Sequence, residues 1–532
     1  MTDRKPTAED ARREIEQLSW LPELEYVLVR KEKAAAFDLP VGTLDKLVRR
    51  MRDEHRIADG DADDDDLDDD DEGTRPPAFT DEALALKFAA DHRDGFRYVA
   101  RWGKWLWFDG QRWAFDETLK AFDKARETCR RASADCNEDR VRKILASAKT
   151  VAAVERLAKS DRKLAATVAQ WDADPWLLNT PGGVVDLKTG KMRGHRADDY
   201  MTKITATTPD NAMPSPRFDA FLDRITGGDK ALQGFLQRLA GYALTGVTTE
   251  HAMAFFYGEG SNGKSVTIDT WAGVLGDYHT TAPFDTLAAS KNERHPTDVA
   301  DLNGARLVTT GETGEGRYWD EAKLKTLTGG DRVKARFMRQ DFFEFTPQFK
   351  LVVAGNHKPS LRTVDEAIRR RLHMVPFDVI IPVAERDQQL KAKLRKEWPA
   401  ILDWMLEGCL DWQEEGLKPP VAVTAASEAY LAEEDTFGRW LLERCDLDAN
   451  GLAGSTELFQ DFDAYARACN EPAGSSKDFR EKLSRQAGIV EARTKAVRGY
   501  RGLKLKPKTN IGTFDGLRLP RLTVVGGEEK AQ

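Results

Sequence analysis

Apolar and polar positions follow different periods in successive stretches of this chain. Residues 7 to 56 carry a helical period, interrupted at "DLPVGT", where Pro40 and Gly42 break the pattern before "LDKLVRRMRDEHR". From 79 to about 200 the period shortens. "GKWLWFDGQRW" alternates bulky residues around Asp109-Gly110 and predicts a hairpin with a two-residue turn there, and "WDADPWLLNTPGGVVDLKTGKM" predicts further short strands. From about 216, "FDAFLDRITGGDKALQGFLQRLAGYAL" reads as helices. The strand-like runs "MAFFY", "ARLVTTGE" and "FKLVVAGN" follow, separated by helices or loops, an order that suits a mostly parallel α/β sheet. "DQQLKAKLRKEWPAILDWMLEGCLDW" is amphipathic helix again, suited to packing beneath that sheet.

Composition changes this picture in one place. The chain has 532 residues, enough for about three or four domains, and its net charge is −8. Eleven of the fourteen residues of "DGDADDDDLDDDDE" (59 to 72) are acidic, so the remainder stands at +3. Such a run repels itself and buries nothing; a disordered linker is the simplest expectation, a DNA-mimicking or partner-binding segment the alternative. No apolar run approaches the roughly 18 residues needed to span a bilayer, and the first residues lack a signal-peptide core, so the expected compartment is the cytoplasm. Cys129, Cys136, Cys409, Cys445 and Cys469 are scattered without zinc-ligand spacing, so reduced thiols and no structural metal are expected.

The candidate chemistry begins in "AMAFFYGEGSNGKSVTID". Gly258, four residues, then Gly263-Lys264-Ser265 is the complete P-loop form, with a strand before it and a helix after it. Glycines let backbone N–H groups close around a polyphosphate, and the helix turns its positive end toward the anion. The loop Gly258, Glu259, Gly260, Ser261, Asn262, Gly263, Lys264, Ser265 and Val266 is therefore expected to bind ATP, with Lys264 on the outer phosphates and the Ser265 hydroxyl on Mg²⁺.

Hydrolysis also needs a carboxylate, expected on a strand next to the P-loop strand. The apolar strand of "ARLVTTGETGEG" ends at Glu312, with Glu315 close by; Gly311 stands where such strands usually carry a first acid. Glu312 is the candidate for the water and the metal shell. "FKLVVAGNHKP" ends a third strand at Asn356, whose amide can reach the γ-phosphate or the attacking water. "DEAIRRRLHMVPF" brings Arg369, Arg370 and Arg371 before another strand, where an arginine can act on a neighbouring subunit's phosphates. "RVKARFM" and "FFEFTP" alternate as two strands around Arg339-Gln340-Asp341, placing Lys334, Arg336 and Arg339 to meet phosphates of a nucleic-acid strand.

These elements in this order resemble a superfamily III helicase of the phage and plasmid primase-helicase family, over roughly residues 80 to 510. The resemblance rests on "GEGSNGKS", "RLVTTGETGEG", "LKTLTGGDRVKAR", "FKLVVAGNHKP" and "RRRLHMVPF", and more loosely on "WDADPWLLNTPGGVVDLKTG" and "GYALTG". It implies Glu312 as the acidic strand residue, Asn356 as sensor, Lys325 as a basic residue facing the neighbour's phosphates, and Arg371 or Arg370 as the finger in trans. It further implies a hexameric ring that unwinds DNA from 3′ to 5′ in replication of a phage, plasmid or integrated element. Members often carry a primase domain first, whereas "LSWLPELEYVLVRKEKAAAFDLPVGTLDKLV" is similar to the helical module that sits between primase and helicase. Priming by a separate chain is the expectation.

Residues 435 to 512 look like a winged-helix module. Ser475-Ser476 can cap the helix "KDFREKLSRQAG", and "IVEARTKAVRGYRGLKLK" reads as a two-stranded wing. Residues 471 to 510 have a balance of +7, so Lys477, Arg480, Arg485 and Arg498 are candidates for duplex or fork DNA. Trp102, Trp105, Trp107 and Trp113 could stack on unpaired bases, but packing of a hairpin core is the better expectation.

The expected architecture is multidomain α/β around an AAA+-like P-loop ATPase core: a helical module (1–58), an acidic linker (59–78), an α+β region (79–215), the ATPase core (216–383), a helical extension (384–434), the winged helix (435–512) and a tail (513–532). An ATP-driven DNA helicase is the function read from it. The rival is a DNA-binding initiator that uses ATP only to switch assembly state.

Overall fold

The structure is a computed structural model that describes residues 15–19, 21, 23–37, 39–58, 76–290, 297–311, 314, 316–338, 341–469, 471, 473–493 and 498–507. The acidic run 59–72, Glu312, Glu315, Arg339 and the tail beyond 507 lie outside the described residues. The chain divides into two compact units, one of residues 1–87 and 126–157, the other of 88–125 and 158–532.

In the first unit, α1 (Glu23–Ala36) and α2 (Val41–Ala58) form an antiparallel-type hairpin after Pro40, with Gly42 inside the first turn of α2 rather than in the break. Tyr26, Ala34, Leu44 and Val48 meet at the helical period. The Tyr26 hydroxyl donates to Asp45 at 2.7 Å, and Arg30 pairs with the same carboxylate at 3.1 Å. The helices α3 (Asp81–His92), α4 (Lys120–Asp135), α5 (Asp139–Leu145) and α6 (Ala148–Ala158) follow in the chain.

In the second unit, β1 (Phe96–Val99), β2 (Lys104–Phe108) and β3 (Trp113–Phe115) form an antiparallel sheet. The β2–β3 turn centres on Gly110-Gln111, one residue later than expected: the Asp109 amide donates to the Arg112 carbonyl at 2.9 Å. The Asp109 carboxylate also accepts from the amides of Gln111 and Arg112, so Asp109 closes the turn from its first corner. Trp105 and Trp113 are buried, and Trp113 lies against Trp171 and Tyr200, so these tryptophans fill the core of the sheet. A second antiparallel sheet joins β4 (Leu177–Thr180), β5 (Gly183–Asp186) and β6 (Lys191–Arg193).

After α7 (Pro216–Thr226) and α8 (Lys230–Tyr242) comes the five-stranded sheet. Its strands are β7 (Met253–Tyr257), β8 (His279–Ala282), β9 (Leu307–Thr310), β12 (Lys350–Gly355) and β13 (Leu372–Pro376), all parallel in the order β13-β7-β12-β9-β8. The helices α9 (Lys264–Leu275), α10 (Thr297–Ala300), α11 (Glu321–Thr328) and α12 (Glu366–Arg369) connect them, and the hairpin β10 (Val333–Ala335) and β11 (Phe343–Phe345) precedes β12. Alternation along the strands sends Ala254, Phe256, Val352 and Val375 to one face. Met253, Phe255, Val353 and Met374 go to the other, among Trp319, Leu324 and Tyr430.

The first face is closed by α8 and by α14 (Trp398–Glu415), which follows α13 (Leu390–Arg395). These helices approach backbone to backbone: a Cβ on Gly241 would lie 2.1 Å from the Cys409 amide nitrogen, and one on Gly408 2.2 Å from the Gln237 carbonyl oxygen. Two buried cations at the amino ends of the strands are satisfied by main-chain carbonyls. Arg306 donates to Leu244 and Leu177, both at 2.6 Å, and Lys350 to Val247 at 3.2 Å. Burial holds both groups below their ordinary pKa.

The remaining elements are α15 (Val421–Glu434), α16 (Thr436–Arg444), β14 (Cys445–Asp446), β15 (Leu452–Gly454), α17 (Ser455–Ala468), α18 (Ser476–Ser484), β16 (Val490–Arg493), β17 (Arg498–Arg501) and β18 (Lys504–Leu505). The last three helices pack Phe437, Trp440, Phe462 and Phe479 over the antiparallel sheet β15-β17-β16. Ser475 caps α18 in a reciprocal pair with Asp478. Among the described residues no helix is long and apolar enough to cross a membrane.

Candidate nucleotide site and basic hairpin

The turn after β7 is built from left-handed backbone. Gly260, Ser261 and Gly263 have φ of +94°, +50° and +90°. A Cβ on Gly263 would lie 2.4 Å from Ile225 Cγ2, so that position admits only glycine. A Cβ on Gly258 would meet the Phe377 carbonyl oxygen at 2.3 Å. Asn262 is buried and donates to that same carbonyl at 2.9 Å, and Ile381 donates its amide to the Ser261 carbonyl, so the segment after β13 holds the loop from outside. Gly263 ends the turn and α9 starts at Lys264. The first-turn amides of a helix have no partner within it, which leaves Lys264, Ser265 and Val266 presenting N–H groups at the mouth of the loop. Ser265 and Glu259 are exposed there.

β12 is paired directly with β7, in a register that sets Gly355 beside Tyr257. The next residues on each strand, Asn356 and Gly258, therefore emerge side by side. The Lys264 ammonium donates to both, at 2.7 Å to the Gly258 carbonyl and 3.2 Å to Asn356 Oδ1. Lys264 is 6% exposed. The strand leading to Glu312 is not the neighbour of the P-loop strand, contrary to expectation. β9 pairs with β12 and β8, and β12 stands between it and β7. Strand neighbours are chosen by long-range packing, which the order of segments along the chain does not encode.

The three arginines separate in space. Asp365 caps α12, its carboxylate accepting from the Ile368 amide at 2.9 Å, and Arg369 and Arg370 are exposed. Arg371 turns inward and is 9% exposed. Its Nε donates to Thr328 Oγ1 at 3.2 Å and its Nη1 to the Ala367 carbonyl at 2.8 Å, beside a small apolar cavity lined by Met253, Trp319, Leu361 and Leu372. Burial, then the neighbouring Arg370, lowers its pKa. Of the two residues that the resemblance offers as the finger, Arg371 is bonded inside the chain and Arg370 is left at the surface. Lys325 is likewise engaged within the chain, 2.5 Å from Asp365. Burial opposes ionisation of Asp365, but the Lys325 bond and two backbone amides outweigh it and hold its pKa below the usual carboxylate range.

β10 and β11 pair with Lys334 opposite Glu344. The Phe342 ring is covered by two cations, Lys334 Nζ at 5.0 Å and Arg336 Cζ at 4.8 Å from its centroid. Phe337 stacks on Phe343 at 5.5 Å. Phe337, Met338 and Phe342 are nonetheless 36%, 71% and 45% exposed. The sequence reading named the basic residues and passed over these apolar ones, although "KARFMRQDFF" interleaves both kinds. On the carboxyl-terminal module, α18 buries Phe479 and Leu483, while Lys477, Arg480 and Arg485 lie exposed, as does Arg498 on β17. Arg485 is paired with Glu481 at 2.6 Å.

A glycine turn feeding a helix from a parallel strand, with a polar strand end beside it, defines a P-loop protein. Residues 83–227 match the family described as "D5 N terminal like", and residues 256–371 match DUF5906, a family of unknown function. The chain is 26% identical over 310 residues to a protein of Acanthamoeba polyphaga mimivirus named "Putative helicase", a match covering 53% of this chain and 32% of that protein. A protein of the same description from Frog virus 3 (isolate Goorha) is 27% identical over 270 residues, covering 46% and 27%. One from Invertebrate iridescent virus 6 is 22% identical over 333 residues, covering 55% and 34%. The chain thus spans about a third of the length of the curated relatives it matches. Among solved structures, the apo NrS-1 C terminal region aligns with 80% of this chain and 100% of its own, at 10% identity and a TM-score of 0.46. These matches agree with the superfamily III resemblance that the motifs carry: one D5-like domain model and distant viral relatives named putative helicases.

Proposed function

We propose that this chain is the motor of an ATP-driven DNA helicase acting in replication of a phage, plasmid or integrated element. The observation that carries the reading is the Lys264 ammonium held between Gly258 and Asn356 at the ends of two adjacent strands. A cation and a polar amide held together beside the glycine turn suit the last phosphate of a triphosphate. Gly258 and Gly263 let the loop pack closely against Phe377 and Ile225 and keep the tight turn whose backbone N–H groups suit phosphates. Mg²⁺, held by Ser265 and Glu312, would offset phosphate charge. Lys264 binds the outer phosphates, Glu312 orients the attacking water through the metal shell, and Asn356 is the sensor that reaches the γ-phosphate or that water.

Exposed Arg370 acts on the triphosphate of the adjoining copy, so the working form is a ring, with six members implied by the family resemblance. The hairpin β10–β11 grips a single strand in its centre: Lys334, Arg336 and Arg339 meet phosphates and Phe342 offers a base a stacking face. The module of α16 to β18 is a winged helix whose α18 face, with Lys477, Arg480 and Arg485, meets duplex at the fork together with Arg498. Translocation from 3′ to 5′ and priming by another chain complete the reading.

The test is unwinding of a forked duplex together with ATP hydrolysis by the purified chain. Lys334→Ala with Arg336→Ala should lose unwinding and keep DNA-independent hydrolysis. DNA binding with ATP-dependent assembly, but no unwinding by the unaltered chain, would establish the initiator reading instead.

A further inference from the structure

Lys325 and Arg371 both bond within the chain, and both join the same two segments. Lys325 lies on α11 and pairs with Asp365, the cap of α12. Thr328, one turn further along α11, receives the Arg371 guanidinium from the other end of α12. The helix α11 is thus fastened at two points to the segment that carries Arg369 and Arg370.

α11 also leads into the hairpin. Only four residues, Gly329 and Gly330 among them, join Thr328 to Val333. A Cβ on Gly329 would lie 2.6 Å from the Lys325 carbonyl oxygen, and Gly330 has φ of +79°. The base of the hairpin is seated in the same core: Ala335 is fully buried, and Val333 and Phe345 pack with Leu324, Leu327 and Ile368.

We propose that the Lys325–Asp365 pair, backed by the Thr328–Arg371 bond, is a latch that makes the arginine segment and the hairpin β10–β11 move as one body. A change at the adjoining copy's triphosphate, met by Arg370, is then delivered to the DNA strand. This rests on the helicase reading above. A pair in which both side chains are about a third exposed, at 32% and 34%, contributes little to folding, so its removal should leave stability unchanged. Lys325 and Asp365 are positioning residues; neither touches a reacting atom.

The experiment measures ATP hydrolysis by the full chain with and without an oligo-dT strand, alongside melting temperature, nucleotide affinity and fork unwinding. Asp365→Asn keeps a good helix cap while removing the charge. It should retain the melting temperature, nucleotide affinity and DNA-free rate of the unaltered chain, yet lose stimulation by oligo-dT roughly fivefold or more, the scale of a coupling between sites. Lys325→Met should lose the same stimulation, and Lys325→Arg, which keeps the pair, should restore it. Full stimulation in Asp365→Asn overturns the latch and leaves the helicase reading intact. A parallel fall in melting temperature, affinity and DNA-free rate also overturns it, because the pair would then be structural. An unaltered chain that oligo-dT does not stimulate overturns the helicase reading, and the latch with it.

Discussion

The Lys264 ammonium lies 3.2 Å from Asn356 Oδ1, although 92 positions separate the two residues. Parallel pairing of β7 with β12 brings them together, and their roles should separate on substitution. Lys264→Ala should abolish nucleotide binding, read by titration of a fluorescent ATP analogue. Asn356→Ala should bind that analogue with little change and lose hydrolysis about 100-fold, the loss expected when one positioned polar group is removed from a developing charge.

Arg370 and Arg371 should differ as surface and core residues do. Arg370→Ala should leave urea unfolding unchanged and reduce hydrolysis by about 10³. Mixing it with Lys264→Ala subunits should restore part of the rate, since each protein supplies what the other lacks. Arg371→Ala should instead lower stability by about 1–3 kcal/mol, because Thr328 and the Ala367 carbonyl lose a buried partner. Equal stability of the two variants would show that Arg371 is not anchored.

Gly241→Ala should be among the most damaging single methyl additions in the chain. The new Cβ would sit 2.1 Å from the Cys409 amide nitrogen, and backbone cannot move aside as a flexible side chain can. Pushing α8 from α14 should cost about 3 kcal/mol or more, measured by denaturant unfolding.

His373 makes the fold sensitive to acid. It sits on β13 with its ring inclined at 60° to that of Phe235, centroids 6.0 Å apart, and burial pushes its pKa down to about 4. The unfolded chain takes up that proton near pH 6.5 and the folded chain only near 4, so stability is full above about pH 6.5 and declines as pH falls toward 4. A loss of about 1–2 kcal/mol by pH 5 is expected. His373→Phe should flatten the dependence of melting temperature on pH in that window.

Phe342 and Lys334 should contribute to strand binding in distinguishable ways. Phe342→Ala should weaken binding of a single strand by about 1–3 kcal/mol at any salt concentration, the amount associated with one stacked base. Lys334→Ala should reduce the salt slope of binding by about one. If neither affects a fluorescence-anisotropy titration, the hairpin does not hold the strand.

Much of the site was legible because its signals are local. The P-loop is a run of neighbouring residues whose glycines answer to conformations at their own positions, as φ of +90° at Gly263 shows. The cap at Ser475 and the pairing of β10 with β11 are equally short-range. Where several side chains compete for one role, local reasoning does not choose between them. Consecutive arginines 369 to 371 look alike in a string, yet the end of α12 sends two outward and the third into the space beside Trp319. The resemblance sets Lys325 toward a neighbour's phosphates, and nothing near it in the chain announces its partner Asp365, forty residues away.

Taken alone, the order of residues determined the P-loop, the alternation that makes the strands, and the resemblance to superfamily III, since each depends on contacts within a few positions. Only the tertiary structure decided that β12 separates β7 from β9, that Asn356 meets Lys264, and that Lys325 and Arg371 find partners within the chain. Those outcomes follow from which distant surfaces bury each other best, and burial is a property of the assembled core, not of any segment read by itself.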